Sequence, residues 1–383
     1  MTVDGNQSKN NKYIISMKHI FKISILVFVF IIFSCVENKN KGNHKIKNQI
    51  LDDYSAKIDS LISTANPRKF NGVVLITKNG ETKYSKEYGF SDFEKKIPIS
   101  LNDNFRIQSN SKQITAVLIL KEVEKGHIDL NKPINEYLPE LKQTWTDSVT
   151  VHQLLNMSSG IVDIEKPLIF KPGKGYRYSN PGYGLLGSIL KSVTNKEFNE
   201  LANQLFKELG MKNTYCYQFD KPNIGLVNGH SLENREINLV EFDSIGFTKK
   251  SWKDFIPAGG IISNVYDLNI WDTKLHNGKI LNSDIYKQMI TPSNRGPHAA
   301  FANDTIGYAY GLRIHNTHPT KHLGHGGRGF GFVSIKFYIP ETDVDVIIWE
   351  NIYAMDGDWR GGNLVYHFEN KIREIVVNSN LGK

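Results

Sequence analysis

Phe105-Arg106-Ile107-Gln108-Ser109-Asn110-Ser111-Lys112, continuing through Gln113-Ile114-Thr115-Ala116-Val117-Leu118-Ile119-Leu120 to Gly126, is the stretch on which the fold of this chain turns. Its pattern predicts a helix from Ser109 to Lys125 with Gly126 as the C-terminal stop. Ile114, Ala116, Val117, Leu118, Ile119, Leu120 and Val123 make that helix apolar on most sides, so it has to be buried. Ser109 and Lys112, three residues apart, lie on one helical face. A serine hydroxyl is a poor nucleophile at neutral pH and needs a base within hydrogen-bond reach. Burial disfavours an ammonium ion, so a lysine carried inside by such a helix becomes a base near neutral pH. At the first turn, the Ser109 backbone N–H also belongs to the unpaired donors that can hold an oxyanion. The spacing alone decides little, because Ser188-Ile189-Leu190-Lys191 repeats it inside another helical segment.

Two further clusters give it context. Tyr178-Ser179-Asn180 follows Lys171-Pro172-Gly173-Lys174-Gly175 and precedes Pro181-Gly182, which places it on a loop before a helix. There a tyrosine facing the Ser109–Lys112 pair can relay a proton to a leaving group, and Asn180 can donate to a substrate carbonyl. Gly324-His325-Gly326-Gly327-Arg328-Gly329 contains a literal Gly-x-Gly-x-x-Gly, but the aromatic and β-branched run Phe330 to Ile339 that follows is a strand, which excludes a dinucleotide site. Glycines near the start of a strand instead admit another backbone or a ligand at close range. His322 and His325 lack a third ligand at a metal-binding spacing, so no metal is expected.

Outward from these motifs, Ile50 to Ile62 has a helical period, Gly72–Lys78 and Glu81–Tyr88 form strands around an Asn79-Gly80 turn, and residues 110–290 are mostly helical. Strands return at Tyr308–Ile314, Phe330–Ile339 and Val344–Trp349, and a last helix covers Leu364–Val376. This order predicts an α/β (α+β) fold: an antiparallel sheet built from both chain ends, flanked by helices, with a mainly helical lobe inserted. The loops around 160–175 and 214–257 are expected to set substrate choice.

Of the net charge of +8, residues 1–50 carry +6, and a near-neutral body excludes a nucleic-acid partner. Met17-Lys18-His19-Ile20-Phe21-Lys22, then the apolar run Ile23 to Phe33, then Ser34-Cys35, has the layout of an export signal; the run is too short to span a bilayer. Cys35 after a small residue is similar to the lipidation site of bacterial lipoproteins. The expectation is therefore an export segment over 1–35 with Met17 as the true start, a flexible tether over 36–48, and a folded domain over 49–383. Such a protein is held by lipid on Cys35 at the membrane of a bacterial cell envelope, on the periplasmic side or the surface.

With Ser-x-x-Lys, Tyr-x-Asn and His-x-Gly in that order, and with Phe70-Asn71-Gly72-Val73-Val74-Leu75, Leu154-Leu155-Asn156-Met157-Ser158-Ser159-Gly160 and Ala258-Gly259-Gly260 beside them, the chain from about Phe70 to Asn351 resembles a known family. This is the family of class C β-lactamases, low-molecular-weight D-alanyl-D-alanine carboxypeptidases and related serine esterases. The resemblance implies the β-lactamase/transpeptidase-like fold and a cofactor-free acyl-enzyme mechanism on a small-molecule or peptide substrate. In it Ser109 attacks a carbonyl, Lys112 and Tyr178 move protons, the backbone N–H groups of Ser109 and Arg328 hold the oxyanion, and Asn180, His325, Gly327 and Arg328 bind substrate. His325-Gly326-Gly327 lacks the lysine and threonine that many relatives carry as Lys-Thr-Gly. D-Ala-type peptides and carboxylic esters therefore come ahead of β-lactams as substrates. Arg328 is the expected replacement anchor for a substrate carboxylate. The competing reading is a non-hydrolytic ligand-binding lipoprotein on the same fold, a type that usually loses one of the catalytic residues. The oligomeric state stays open.

Overall fold

Asn79 and Gly80 both stand at positive φ, 53° and 75°, the turn that an Asn-Gly pair favours between twisted strands. They join Gly72–Lys78 (β1) to Glu81–Tyr88 (β2). The computed structural model describes residues 52–298, 300–301, 305–316, 320–354 and 364–383. The export segment, Cys35, the tether and the expected helix start at Ile50 lie outside these residues. Late in the chain come Asn294–Pro297 (β3), Thr305–Tyr308 (β4), Arg313–His315 (β5), His322–Gly329 (β6), Phe332–Ile339 (β7) and Val344–Glu350 (β8). All pair antiparallel in the order β3-β4-β5-β6-β7-β8-β1-β2. The β8–β1 ladder, with Gly72 opposite Glu350 and Lys78 opposite Val344, docks the N-terminal hairpin onto the C-terminal strands. The sheet is thus built from both ends of the chain.

Side-chain alternation sorts the core into two layers. Val73 and Leu75 of β1, with Ile347 and Trp349 of β8, pack towards the helical lobe. Val74, Ile76, Val346 and Ile348 point to the opposite face. That second face is covered by Ser55–Ser63 (α1) and by a helix at the C-terminus, His367–Asn378, through Ile58, Ile62, Phe368 and Ile372. On the lobe side stand Ser111–Glu124 (α2), Asn180–Thr194 (α3) and Lys249–Gly259 (α4). Eleven of the fourteen α2 residues are buried, which explains a composition apolar on nearly every side.

Three local expectations are corrected. The predicted strand Tyr308–Ile314 is divided into β4 and β5 by a turn at Gly311, at φ 68°. A Cβ on Gly311 would stand 2.6 Å from the Lys112 carbonyl oxygen, so this turn presses on the backbone of α2. The glycine-rich motif is itself a strand, β6, and the turn into β7 is Gly329-Phe330-Gly331, all at positive φ. The middle of the chain also contains short strands: Phe105–Arg106 and Tyr215–Cys216 both pair with Ile261–Ser263, just ahead of the segment that carries Ser109.

The two chain ends are also tied by a buried ion pair. Arg68, just ahead of β1, donates from both Nη atoms to the Glu350 carboxylate at 2.7 Å, at the end of β8. Removing one partner of such a pair strands a charge in the core. Glu350→Gln is expected to lower the unfolding free energy by about 3–5 kcal/mol, measured by urea denaturation; a loss below about 1 kcal/mol would mean that Arg68 finds other compensation.

Candidate active site

Ser109 does not open an α-helix directly. It sits in a tight turn, Gln108–Asn110, that feeds α2. Gln108 has φ 51°, a left-handed conformation that glycine adopts freely and a side chain resists. That departure from helical geometry is why the regular helix starts two residues later than expected. The turn is stitched to the sheet: Gln108 Nε2 donates to the Gly329 carbonyl at 2.7 Å, and Asn110 Nδ2 donates to Ser334 Oγ at 2.9 Å. Ser334 Oγ in turn donates to the Ile107 carbonyl at 3.0 Å. β6 must come very close for this. A Cβ on Gly327 would stand 2.5 Å from Gln108 Cβ and 2.8 Å from the Ile107 oxygen, so only glycine fits.

Lys112 is fully buried, with its Nζ 3.2 Å from Ser109 Oγ. The same nitrogen donates to Asn180 Oδ1 at 2.8 Å and to the Ala258 carbonyl at 2.6 Å. Those two oxygens only accept, so each takes an N–H; in a neutral amine the remaining lone pair faces the serine hydroxyl. Burial holds the Lys112 pKa well below its ordinary value, and the nearby Arg313 charge pushes the same way. The second Ser-x-x-Lys copy shows the contrast. Ser188 and Lys191 lie on the solvent face of α3, where hydrogen bonding to Glu197 raises the lysine pKa.

Ser179 caps α3, accepting from Gly182 N at 2.9 Å. The cap holds Tyr178 and Asn180 on either side of it at the site. The centre of the Tyr178 ring lies 4.7 Å from Lys112 Nζ. Its hydroxyl is buried towards Ser109 and has no well-formed hydrogen bond among the described residues; burial raises its pKa. Asn180 is exposed and commits its oxygen to Lys112, which leaves its amide N–H groups to the cleft.

His325 points into the site but offers no proton to it. Its Nδ1–H donates to the Gly326 carbonyl at 2.6 Å, so Nε2 accepts from the Tyr308 hydroxyl at 3.3 Å. Burial and the Arg313 charge keep it neutral. The other histidine of that motif, His322, lies three residues away on the opposite face of β6 and stacks on His315, with rings 4.5 Å apart. Arg328 is half-buried, with its guanidinium carbon 6.0 Å from the centre of the Tyr366 ring.

Two residues escaped the sequence reading. Arg313 of β5 is 1% exposed; Nη2 donates to the Tyr176 hydroxyl at 3.2 Å, while Nε and Nη1 find no acceptor among the described residues. Its guanidinium stands 5.6 Å from the Tyr178 ring centre and 5.1 Å from that of Tyr308. The available signal was a single charge in the otherwise apolar and aromatic run from Tyr308 to Ile314. His298, just past β3, has its ring 6.5 Å from that of Tyr178 and 6.2 Å from that of His325. Its Nδ1 accepts from Ala300 N at 3.0 Å, which leaves the proton on Nε2. Burial holds its pKa well down, and Arg313, His325, Arg328 and Lys112 add to the effect. Among the described residues, the charges named as acting on Lys112 and His298 are all cationic.

A sheet built from both chain ends, a helical lobe, and a serine against a buried lysine at their seam define one class of protein. Residues 58–365 match the family model described as Beta-lactamase, and the chain belongs to that family. It is 25% identical over 309 residues to Protein flp of Staphylococcus aureus (strain N315); the match covers 73% of this chain and 59% of the relative, so the chain spans little more than half that protein's length. Among solved structures it is similar to the octameric penicillin-binding protein homologue from Pyrococcus abyssi, with TM-score 0.70, 25% identity, and coverage of 86% of this chain and 77% of that one. It is also similar in fold to D-amino acid amidase from Ochrobactrum anthropi SV3, with TM-score 0.71, 23% identity, and coverage of 84% and 98%.

If Lys112 takes the serine proton, activity is lost as pH falls through its depressed pKa, because the ammonium form has no lone pair. The acid limb of kcat/KM for p-nitrophenyl acetate is expected to have its midpoint far below the ordinary lysine value of about 10.4. Lys112→Met should lower kcat by roughly 10²–10⁴. A wild-type midpoint near that ordinary value, or an active Lys112→Met enzyme, would place the base elsewhere.

Proposed function

We propose that the chain is a serine hydrolase that opens an amide or ester through an acyl-enzyme on Ser109. The observation that carries this reading is the buried Lys112 amine, two of its hydrogens committed to Asn180 and Ala258, standing 3.2 Å from Ser109 Oγ. In this mechanism Oγ attacks the carbonyl carbon and its proton passes to Lys112. The oxyanion that forms is held by the backbone N–H groups of Ser109 and Arg328. The tetrahedral intermediate then collapses: the bond to the leaving group breaks, and the leaving atom takes a proton through the Tyr178 hydroxyl, which Lys112 replenishes. Water adds to the acyl-enzyme by the reverse route and releases the acid.

The substrates are D-Ala-type peptides or carboxylic esters that carry a carboxylate, with β-lactams behind them. Support for the carboxylate comes from Arg313, a buried cation with two unpaired donor atoms beside Tyr178. In this reading Arg313 is a deeper anchor for the carboxylate beside Arg328, the anchor expected from the sequence. Wild-type protein should be labelled by a fluorophosphonate and by a fluorescent penicillin, and Ser109→Ala by neither. Arg313→Gln should raise KM at least tenfold for a D-Ala-D-Ala peptide but not for a neutral nitrophenyl ester. Failure of wild type to label with either reagent would sink the hydrolase reading in favour of a ligand-binding protein.

We further propose export and lipidation at Cys35, supported by the basic, apolar and Ser34-Cys35 sequence of the N-terminal segment. In bacterial cells, Cys35→Ser should abolish labelling by a palmitate analogue and move the protein out of the membrane fraction. An unchanged distribution would point to an uncleaved anchor instead.

A further inference from the structure

Ser188 and Lys191, the second Ser-x-x-Lys copy, take no part in the chemistry at Ser109, yet both line a cavity of about 320 Å³. That volume is at the lower end for small-molecule sites, which run from about 300 to 1,000 Å³. The walls are α3, α4, residues 217–221 and the start of the helix Phe198–Leu209. Ser109, Lys112, Tyr178 and Arg313 do not border it. Two glycines bring α3 and α4 together along one wall. A Cβ on Gly187 would stand 2.5 Å from Pro257 Cγ, and one on Gly184 would stand 2.7 Å from the Asp254 carbonyl oxygen. All four of these residues line the cavity. Helices already in contact there cannot move closer, so their approach cannot fill the space beside the seam.

The lining is sorted by depth. Phe198, Tyr217, Trp252, Ile256 and Pro257 are buried and Phe219 is half-buried, so the inner surface is apolar and largely aromatic. Its charged residues are exposed or half-buried, and among them Lys191, Lys221, Lys249 and Lys253 outnumber Glu197, Asp220 and Asp254. The pairing sharpens this excess. Asp220 pairs with Lys249. Glu197 has to serve two ammonium groups, Lys191 at 2.7 Å and Lys253 at 2.8 Å. A second anion at Lys191 and Lys253 would give each lysine a carboxylate of its own. Trp252 adds a donor: its indole N–H is buried and has no acceptor among the described residues, a cost that a ligand oxygen removes.

We propose that this cavity is a second ligand site, separate from Ser109, and that it takes a small aromatic carboxylate. The ring system lies against Phe198, Tyr217 and Trp252, and the carboxylate lies at Lys191 and Lys253. The aromatic inner surface selects the ring, and the shared Glu197 selects the anion. Ser188 and Lys191 thus belong to binding rather than to catalysis. The site does not depend on Ser109 being a nucleophile.

The test titrates 2-naphthoate calorimetrically into the full chain. Wild type, Ser109→Ala and Arg313→Gln should bind it alike, with Kd on the order of 100 μM for a ligand of this size. Lys191→Glu combined with Lys253→Glu should weaken binding about tenfold. The neutral analogue 2-naphthalenemethanol should bind wild type more weakly by about the same factor. Ser188→Trp, which puts an indole into the cavity, should abolish binding. Ser188, Lys191 and Lys253 are all exposed, so these substitutions leave the core intact. Loss of binding in Arg313→Gln with full binding in Ser188→Trp would move the anion to the catalytic cleft and overturn the site. Equal affinity for the acid and the alcohol, or no saturable binding by wild type, overturns it as well.

Discussion

A lysine ammonium in a dry interior, without a carboxylate to balance it, is an expensive thing to keep charged. Burial and the nearby Arg313 charge shift Lys112 towards the neutral amine, and much of the lobe is arranged around it. Asn180 at the start of α3 and Ala258 at the end of α4 each supply one carbonyl oxygen to its Nζ. A third strut fixes the same helices: Thr115 Oγ1, one turn further along α2, donates to the Pro257 carbonyl at 2.6 Å. Gly187 of α3 lets the helices close up, since a Cβ there would stand 2.5 Å from Pro257 Cγ. Three helices far apart in sequence thus converge on one nitrogen atom, and in the neutral amine its lone pair has one direction left, towards Ser109.

Arg313 supports the proposal that the arrangement is a binding site. A buried guanidinium beside a buried amine would raise the energy of either charge, and the same cation also depresses the pKa values of His298 and His325. Partial compensation comes from the faces of Tyr178 and Tyr308, since aromatic rings attract cations. Two donor atoms still lack acceptors among the described residues. A folded protein tolerates that when a ligand completes the set, and an anion is the ligand that does so at least cost.

How much of this was readable in the residues depended on the range of the interaction. The Asn79-Gly80 turn, the alternation in β1 and β8 and the buried character of α2 are local patterns, and they led to an antiparallel sheet made from both ends with a helical lobe between. The Ser109–Lys112 pair and the Ser179 cap that presents Tyr178 are equally local. The split between β4 and β5 was missed because Gly311 answers to a contact with Lys112, some two hundred residues upstream. The pattern began a strand only at Phe330, because glycines argue against a strand locally, whereas Gly327 is required by the approach of Gln108. Arg313 and His298 carry no motif at all; only the pairing of β5 with β6 and the turn after β3 bring them to Tyr178.

The same reasoning explains why the site stands on a seam. In the proposed mechanism the groups that move protons, Lys112 and Tyr178, belong to the lobe, while the edge that offers backbone N–H groups to an oxyanion belongs to the sheet. Chemistry requires the two to hold a fixed spacing, and no single element spans it. Gln108 does so, at the cost of a left-handed backbone: its Cβ occupies the place that Gly327 leaves empty, and its amide holds the Gly329 carbonyl. A glycine at 108 would relieve the strain but would remove that tie. The strain at Gln108 and the bareness of Gly327 are therefore two halves of one constraint, the distance between Ser109 and the β6 edge that the proposed mechanism needs.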